Sequence, residues 1–269
     1  MSERRHYRFR RLQRPRPESL RRGIYLIPTL FTVGNMLAGF SSILFALNGR
    51  IETAAWLILL AGVLDGLDGR VARLAKVTSE FGKEYDSLAD VVSFGVAPAV
   101  LVYQWGLWGM GRWGWMAGFL FLVAGSVRLA RFNVKSAGED SSRFTGLPIP
   151  GGAGALTMMV LVAPEPVVDR PVTIAVWAFV LTISFLMVST IPYRSYKDLN
   201  LRRRFPATAF FLMAAVLAVI AVWPVPTLAV LAVIYLLSGP LEILRRRSGR
   251  SAAPPLKEAS SGETDAQHP

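Results

Sequence analysis

The sequence predicts an all-α, polytopic membrane protein of about eight transmembrane helices. Three observations carry that prediction. Several apolar runs approach or exceed the roughly 18 to 20 residues that span a bilayer as a helix. Charged residues make up 18% of the chain but cluster between those runs, and mean hydropathy is +0.40. The positive charges are also distributed as a bilayer would sort them.

The apolar segments fall, in order, at Ile24–Leu47, Glu52–Lys76, Ser87–Trp108, Trp113–Phe132, Gly151–Val162, Pro171–Ser189, Pro206–Trp223 and Thr227–Leu244. The fifth is short and rich in glycine. With the N-terminus inside, the extracytoplasmic loops contain only Arg50, Arg112 and Arg170. The other 27 of 30 Lys and Arg residues fall in tails, cytoplasmic loops or cytoplasmic helix ends. This asymmetry places both termini in the cytoplasm. The chain then divides into a basic cytoplasmic tail (1–23), a transmembrane domain (24–244) and a tail (245–269) whose Ser, Ala, Pro and Gly content predicts disorder. Trp105, Trp108 and Trp113 read as an interfacial belt.

Composition also excludes function classes. A net charge of +12 raises nucleic acid as a partner, but its location argues against it. Nine arginines lie in the first 22 residues, where they fit anionic headgroups or a solvated tail that only fixes orientation. With no cysteine, thiolate nucleophiles and Cys-based zinc sites are ruled out. The two histidines, His6 and His268, sit in polar tails, so proton transfer in the core falls to carboxylates or water. No cleavable signal peptide is expected ahead of the first apolar run.

The chemistry concentrates in one stretch. It contains Asp65, Asp68, Gly69, Ala72 and Arg73, then Gly82, Asp86 and Asp90. Asp65 and Asp68 are spaced i,i+3 and Asp86 and Asp90 i,i+4, so each pair shares a helical face. About 13 residues run from Glu52 to Leu64, or roughly 20 Å of helix. Asp65 therefore approaches the cytoplasmic boundary, and the next helix starts from the same side with Asp86 and Asp90. Four carboxylates at a membrane rim demand compensation. Hard divalent cations such as Mg²⁺ or Mn²⁺ supply it and also bind phosphates. The plainer reading pairs these carboxylates with Arg70, Arg73, Lys76 and Lys83.

The run matches D-x2-D-G-x2-A-R-x8-G-x3-D-x3-D at all eight fixed positions. It resembles the signature of the CDP-alcohol phosphatidyltransferase family. The resemblance implies a six-helix family core, here with two further C-terminal helices, and two divalent metal ions. It implies attack at the β-phosphate of a CDP-linked lipid, with CMP leaving, and a homodimer. By the same resemblance Asp65, Asp68 and Asp86 are metal ligands. Asp90 lies near a metal, completes the four aspartates of the metal site, and is the base that deprotonates the incoming alcohol. Gly69, Ala72 and Arg73 line the cytidine and diphosphate site, with Ser79 a further residue there.

Later segments resemble the membrane-integral bacterial members that transfer to L-serine, using CDP-diacylglycerol. They are Ser93-Phe94-Gly95-Val96-Ala97-Pro98-Ala99, Arg128-Leu129-Ala130-Arg131-Phe132-Asn133, Gly146-Leu147-Pro148-Ile149-Pro150 and the stretch from Ser189 to Lys197. Such members work at the cytoplasmic face of the bacterial inner membrane. Arg128 and Arg131 suit a lipid phosphate or the serine carboxylate, or serve only as positive flank residues. Asn133 is a polar contact or a helix cap, and Pro148 and Pro150 shape a loop or touch substrate. Thr32 and Asn35, i,i+3 in the first helix, face the nucleotide or metals, or bond between helices. Thr29 stands where related sequences often have Asn. Glycerol 3-phosphate, inositol phosphate or choline are the alternative acceptors. A prenyltransferase would separate its aspartate motifs, and a transporter would carry its carboxylates nearer mid-bilayer.

Overall fold

The computed structural model describes residues 18–75, 79–136, 144–193 and 207–250. Among them the chain forms eight helical rods: α1 (Glu18–Leu47), α2 (Ile51–Ala75), α3 (Glu80–Met110), α4 (Arg112–Ser136), α5 (Ile149–Val162), α6 (Arg170–Val188), α7 (Ala207–Val222) and α8 (Pro224–Arg250). Among the described residues the only strands are a two-residue antiparallel pair, β1 (Phe144–Thr145) with β2 (Pro192–Tyr193). It clips the loop before α5 to the loop after α6. Both chain ends of the sequence-based plan, 1–17 and 251–269, lie outside the described residues. Helix already occupies 18–23 and 245–250, which the sequence assigned to tails.

Five of these helices are long and apolar enough to cross a bilayer: Thr29–Leu47, Glu80–Met110, Arg112–Val134, Arg170–Val188 and Pro224–Glu242. Their outward faces expose large apolar residues such as Leu37, Phe40, Phe119 and Phe185. Apolar exposure on this scale requires lipid as the solvent. The protein is therefore a multi-pass membrane protein. Helix α2 carries the charged motif at one end, which keeps it off that apolar list. At 14 residues, α5 is only about 21 Å long, but nine of its residues are buried, so it needs no lipid contact of its own.

Small residues let α1 and α2 approach closely. Ala38 and Ala46 face Ala54, Ala55 and Ala61 in one buried cluster, and Ser42 Oγ donates to the Ala54 carbonyl at 2.8 Å. The turn between them ends α1 with paired bonds, Gly49 N–H to Ala46 O and Arg50 N–H to Phe45 O. That geometry needs a left-handed residue, supplied by Gly49 at φ +74°.

Helix α3 departs most from expectation. Its first polar turn, beginning at Glu80, lies seven residues ahead of the apolar run, so Asp86 and Asp90 sit well inside a helix. Two wide π-helical turns interrupt it, Val91–Val96 directly after Asp90 and Tyr103–Leu107. Trp105 also corrects the proposed belt. It is 3% exposed and donates to the Ala163 carbonyl at 2.8 Å, whereas Trp108 and Trp113 are exposed.

Candidate active site

Three helices converge at the end of the bundle that holds the aspartates. Helix α2 presents Asp65 and Asp68 one turn apart. Helix α3 crosses beside it and presents Asp86, with Asp90 one turn further along the rod. One carboxylate oxygen from each of Asp65, Asp68 and Asp86 lies within 4.8 Å of the others. Asp90 stands outside this trio, though all three of the others act on it electrostatically.

Helix α1 supplies the neutral partners. Thr32 Oγ1 donates to Asp68 Oδ2 at 3.1 Å, and both residues are buried. Asn35 is fully buried and its Nδ2 reaches Asp90 Oδ1 at 3.5 Å. The Asn35 carbonyl accepts the Ser93 hydroxyl at 2.9 Å. This contact exists because the helices nearly touch: a Cβ on Gly39 would stand 2.6 Å from Ser93 Cα. The short rung Ser93–Asn35–Asp90 thus fixes one carboxylate. Ser93 escaped notice as a site residue because it sits in an apolar run, although its Ser-Phe-Gly context marked the segment.

The donor set fits divalent cations. Three hard carboxylate oxygens converge from two helices, an arrangement whose mutual repulsion in a low-dielectric setting calls for positive charge. Asn35 Oδ1 is buried and accepts no hydrogen bond among the described residues, a further oxygen facing the same region. Asp65, Asp68 and Asp86 could hold such ions, and Asp90 lies close enough to share their field.

The remaining expected residues take varied positions. Gly69 is half-buried beside Asp68. Ala72 and Arg73 continue α2 as helix, but their side chains lie outside the described residues, as does Lys76. Ser79 is the N-cap of α3 and accepts the Gly82 N–H at 3.0 Å. That role satisfies one of the orphan donors of the first turn. Thr29 is exposed on α1.

On α4, the two arginines diverge. Arg128 is 8% exposed, its Cζ lies 5.6 Å from the Phe132 ring centroid, and its charge reaches Asp90. Arg131 is exposed and donates from Nη1 to the Val188 carbonyl at 3.0 Å, tying α4 to the end of α6. Asn133 makes a polar contact: its Nδ2 donates to Ser87 Oγ at 2.8 Å, between Asp86 and Asp90. Pro148 and Pro150 flank the first residue of α5, where Gly146 N–H bonds Ile191 O and Leu147 N–H bonds Leu186 O. They shape that loop.

Asp65, Asp68 and Asp86 thus converge near Asp90, with the buried Arg128 guanidinium acting on Asp90 from α4. Comparison with known proteins agrees with this chemistry. The sequence profile of the CDP-alcohol phosphatidyltransferase family matches residues 25–188. A CDP-diacylglycerol–serine O-phosphatidyltransferase of Helicobacter pylori is 37% identical, over 80% of this chain and 90% of the relative. The Mycobacterium leprae protein of the same name is 34% identical, over 86% and 79%. An archaetidylserine synthase of Methanothermobacter thermautotrophicus is 38% identical, over 62% and 69%. From α1 to the end of α6, this chain belongs to the CDP-alcohol phosphatidyltransferase family.

Proposed function

We propose that this chain transfers the phosphatidyl group of CDP-diacylglycerol to the hydroxyl of L-serine, giving phosphatidylserine and CMP. The observation that carries the reading is the convergence of Asp65, Asp68 and Asp86 near Asp90, with buried Arg128 close enough to act on Asp90. The names of the relatives support serine as the acceptor.

The serine oxygen attacks the phosphorus that carries the diacylglycerol. The phosphoanhydride bond to CMP breaks, and CMP leaves with the bond's electron pair. A neutral alcohol is a weak nucleophile, so its proton must go to a positioned base. Asp90 is that base, held by Asn35 and withdrawn from solvent. Two Mg²⁺ or Mn²⁺ ions, held by Asp65, Asp68 and Asp86, would supply positive charge to the diphosphate and to the developing negative charge. Thr32 fixes the Asp68 carboxylate for that purpose. By the family resemblance, Gly69, Ala72 and Arg73 line the cytidine and diphosphate site. The Arg128 guanidinium meets the serine carboxylate, a pairing its planar fork suits.

The placement of Lys and Arg supports a cytoplasmic active site in the bacterial inner membrane, where soluble serine meets a membrane-held lipid. A homodimer is the expected assembly. Purified protein in detergent, given CDP-diacylglycerol and divalent metal, should release CMP when serine is added. Release driven by glycerol 3-phosphate or inositol phosphate but not by serine would overturn the acceptor.

A further inference from the structure

Helix α8 follows the family-matched stretch and is mostly bare. Only 6% of its spanning window is buried. One narrow face nevertheless docks on the bundle: Val225, Leu228, Ala229, Ala232, Tyr235 and Leu236 pack against the core. Among these six, Tyr235 alone has a polar side-chain group.

The docking is specific. A Cβ on Gly151, in the first turn of α5, would stand 2.7 Å from Tyr235 Cε1. The same turn receives α4 one helical turn before Arg128, where a Cβ on Gly125 would stand 2.6 Å from Ile149 Cδ1. Tyr235 and Arg128 therefore arrive at one corner from opposite sides of α5, which brings the phenol oxygen into the surroundings of the guanidinium. Behind Tyr235, the Tyr193 ring packs at 5.9 Å, and the Tyr193 hydroxyl donates to the Leu236 carbonyl at 3.2 Å. Burial, and secondarily Tyr235, pushes the Tyr193 phenol up to about 12, so it remains a neutral donor. Tyr193 itself is anchored by the β1–β2 clip and by Gly239, which leaves its ring room against α8.

We propose that Tyr235 is a positioning residue for Arg128, so that α8 sets the acceptor end of the site from outside the family core. The phenol oxygen accepts from the guanidinium, restricts its rotamers and leaves its remaining N–H groups directed towards Asp90. An acceptor alcohol bearing a carboxylate is then held with its hydroxyl at the base. The proposal rests on the reading of Arg128 as the acceptor's anion contact, and it adds the element that aims that contact.

Tyr235→Phe keeps the ring packing and removes only the hydroxyl. The acceptor is first chosen as whichever alcohol the unaltered protein uses, so a wrong acceptor assignment shows before any variant is made. With that acceptor, the variant should raise its KM on the order of tenfold, the scale of a hydrogen bond to a charged group. The KM for CDP-diacylglycerol and the thermal midpoint in detergent should stay within twofold and about 2 °C. In an Arg128→Lys background, the same substitution should change the acceptor KM by less than about twofold, because the planar fork it aims is gone. An unchanged acceptor KM would overturn the proposal. So would equal shifts in both KM values together with the midpoint, which mark packing alone, or full additivity of the two substitutions.

Discussion

Gly39→Ala is the sharpest test of how the fold holds its base. The added methyl would fall on Ser93 Oγ and stand 2.6 Å from Ser93 Cα and 2.8 Å from Ser93 Cβ. Two of these atoms belong to or adjoin the α3 backbone, so a rotamer change cannot relieve the clash. Ordinary carbon contact needs about 3.5 Å, and α1 must retreat from α3 by roughly 1 Å. Two opposing effects act on stability. Alanine favours helix over glycine by about 1 kcal/mol, whereas overpacking costs about 1–3 kcal/mol. The net loss is modest, about 1 kcal/mol. Activity is more exposed. The Asn35–Asp90 contact is already 3.5 Å long, so a retreat of this size breaks it and leaves the base unheld. A displacement near 1 Å at reacting groups costs about 10²-fold. The assay is CMP release from CDP-diacylglycerol under saturating metal, with thermal midpoint measured in parallel. Gly154→Ala serves as control, because nothing lies within 4 Å of its added methyl; it should be fully active and no less stable. If Gly39→Ala keeps kcat/KM within twofold of the unaltered protein, the rung through Ser93 and Asn35 does not position Asp90.

Three other outcomes are expected. Asp90→Asn should lower turnover by about 10²–10⁴-fold while CDP-diacylglycerol still binds, and undiminished turnover would remove it as the base. Asp68→Asn should raise the Mn²⁺ concentration needed for half-maximal activity at least tenfold, and the unaltered protein should lose activity in chelator and regain it on metal addition. An unchanged metal requirement would exclude Asp68 as a ligand. Asn48→Cys, in an otherwise cysteine-free chain, places an exposed thiol at the α1–α2 turn without disturbing the positive φ of Gly49. An impermeant thiol reagent should label it from outside the cell, and labelling only from the cytoplasmic side would reverse the topology.

The sequence made the helices legible because lipid-facing rods must be apolar along most of their length. The aspartates were legible because eight fixed residues with fixed gaps leave little room for coincidence. What escaped has physical causes. Glu80–Tyr85 is polar, so hydropathy starts α3 too late, while the Ser79 cap that marks its true beginning is a short-range hydrogen bond. Trp105, close to Trp108 in an apolar run, reads from sequence as part of the same interfacial belt. The π turn at Tyr103–Leu107 alters the spacing there, and the ring turns to the core. Arg128 and Arg131 look equivalent three residues apart, yet one is buried near Asp90 and the other ties down α6. Tyr235 gave no signal in a helix that reads as lipid-facing all round. Its meaning depends on a glycine more than 80 positions earlier in the chain.

The π turn after Asp90 has a consequence for how this chain can change over time. A wide turn holds one residue more than an α turn, so it absorbs the phase difference between two faces of α3. The part before it shows its aspartates to the carboxylate cluster, and the part after it shows Ala97, Leu101 and Val102 to the core. Deleting one residue within Val91–Val96 would give a more regular helix with a better intrinsic ladder. The two halves would keep nearly their present phase, because the residue lost is the one by which a wide turn exceeds an α turn. A one-residue deletion is therefore tolerable inside Val91–Val96, whereas the same deletion in the regular turn between Asp86 and Asp90 would rotate Asp86 by about 100° against the rest of the rod. The wide turn is a spare residue stored between the base and the buried half of α3.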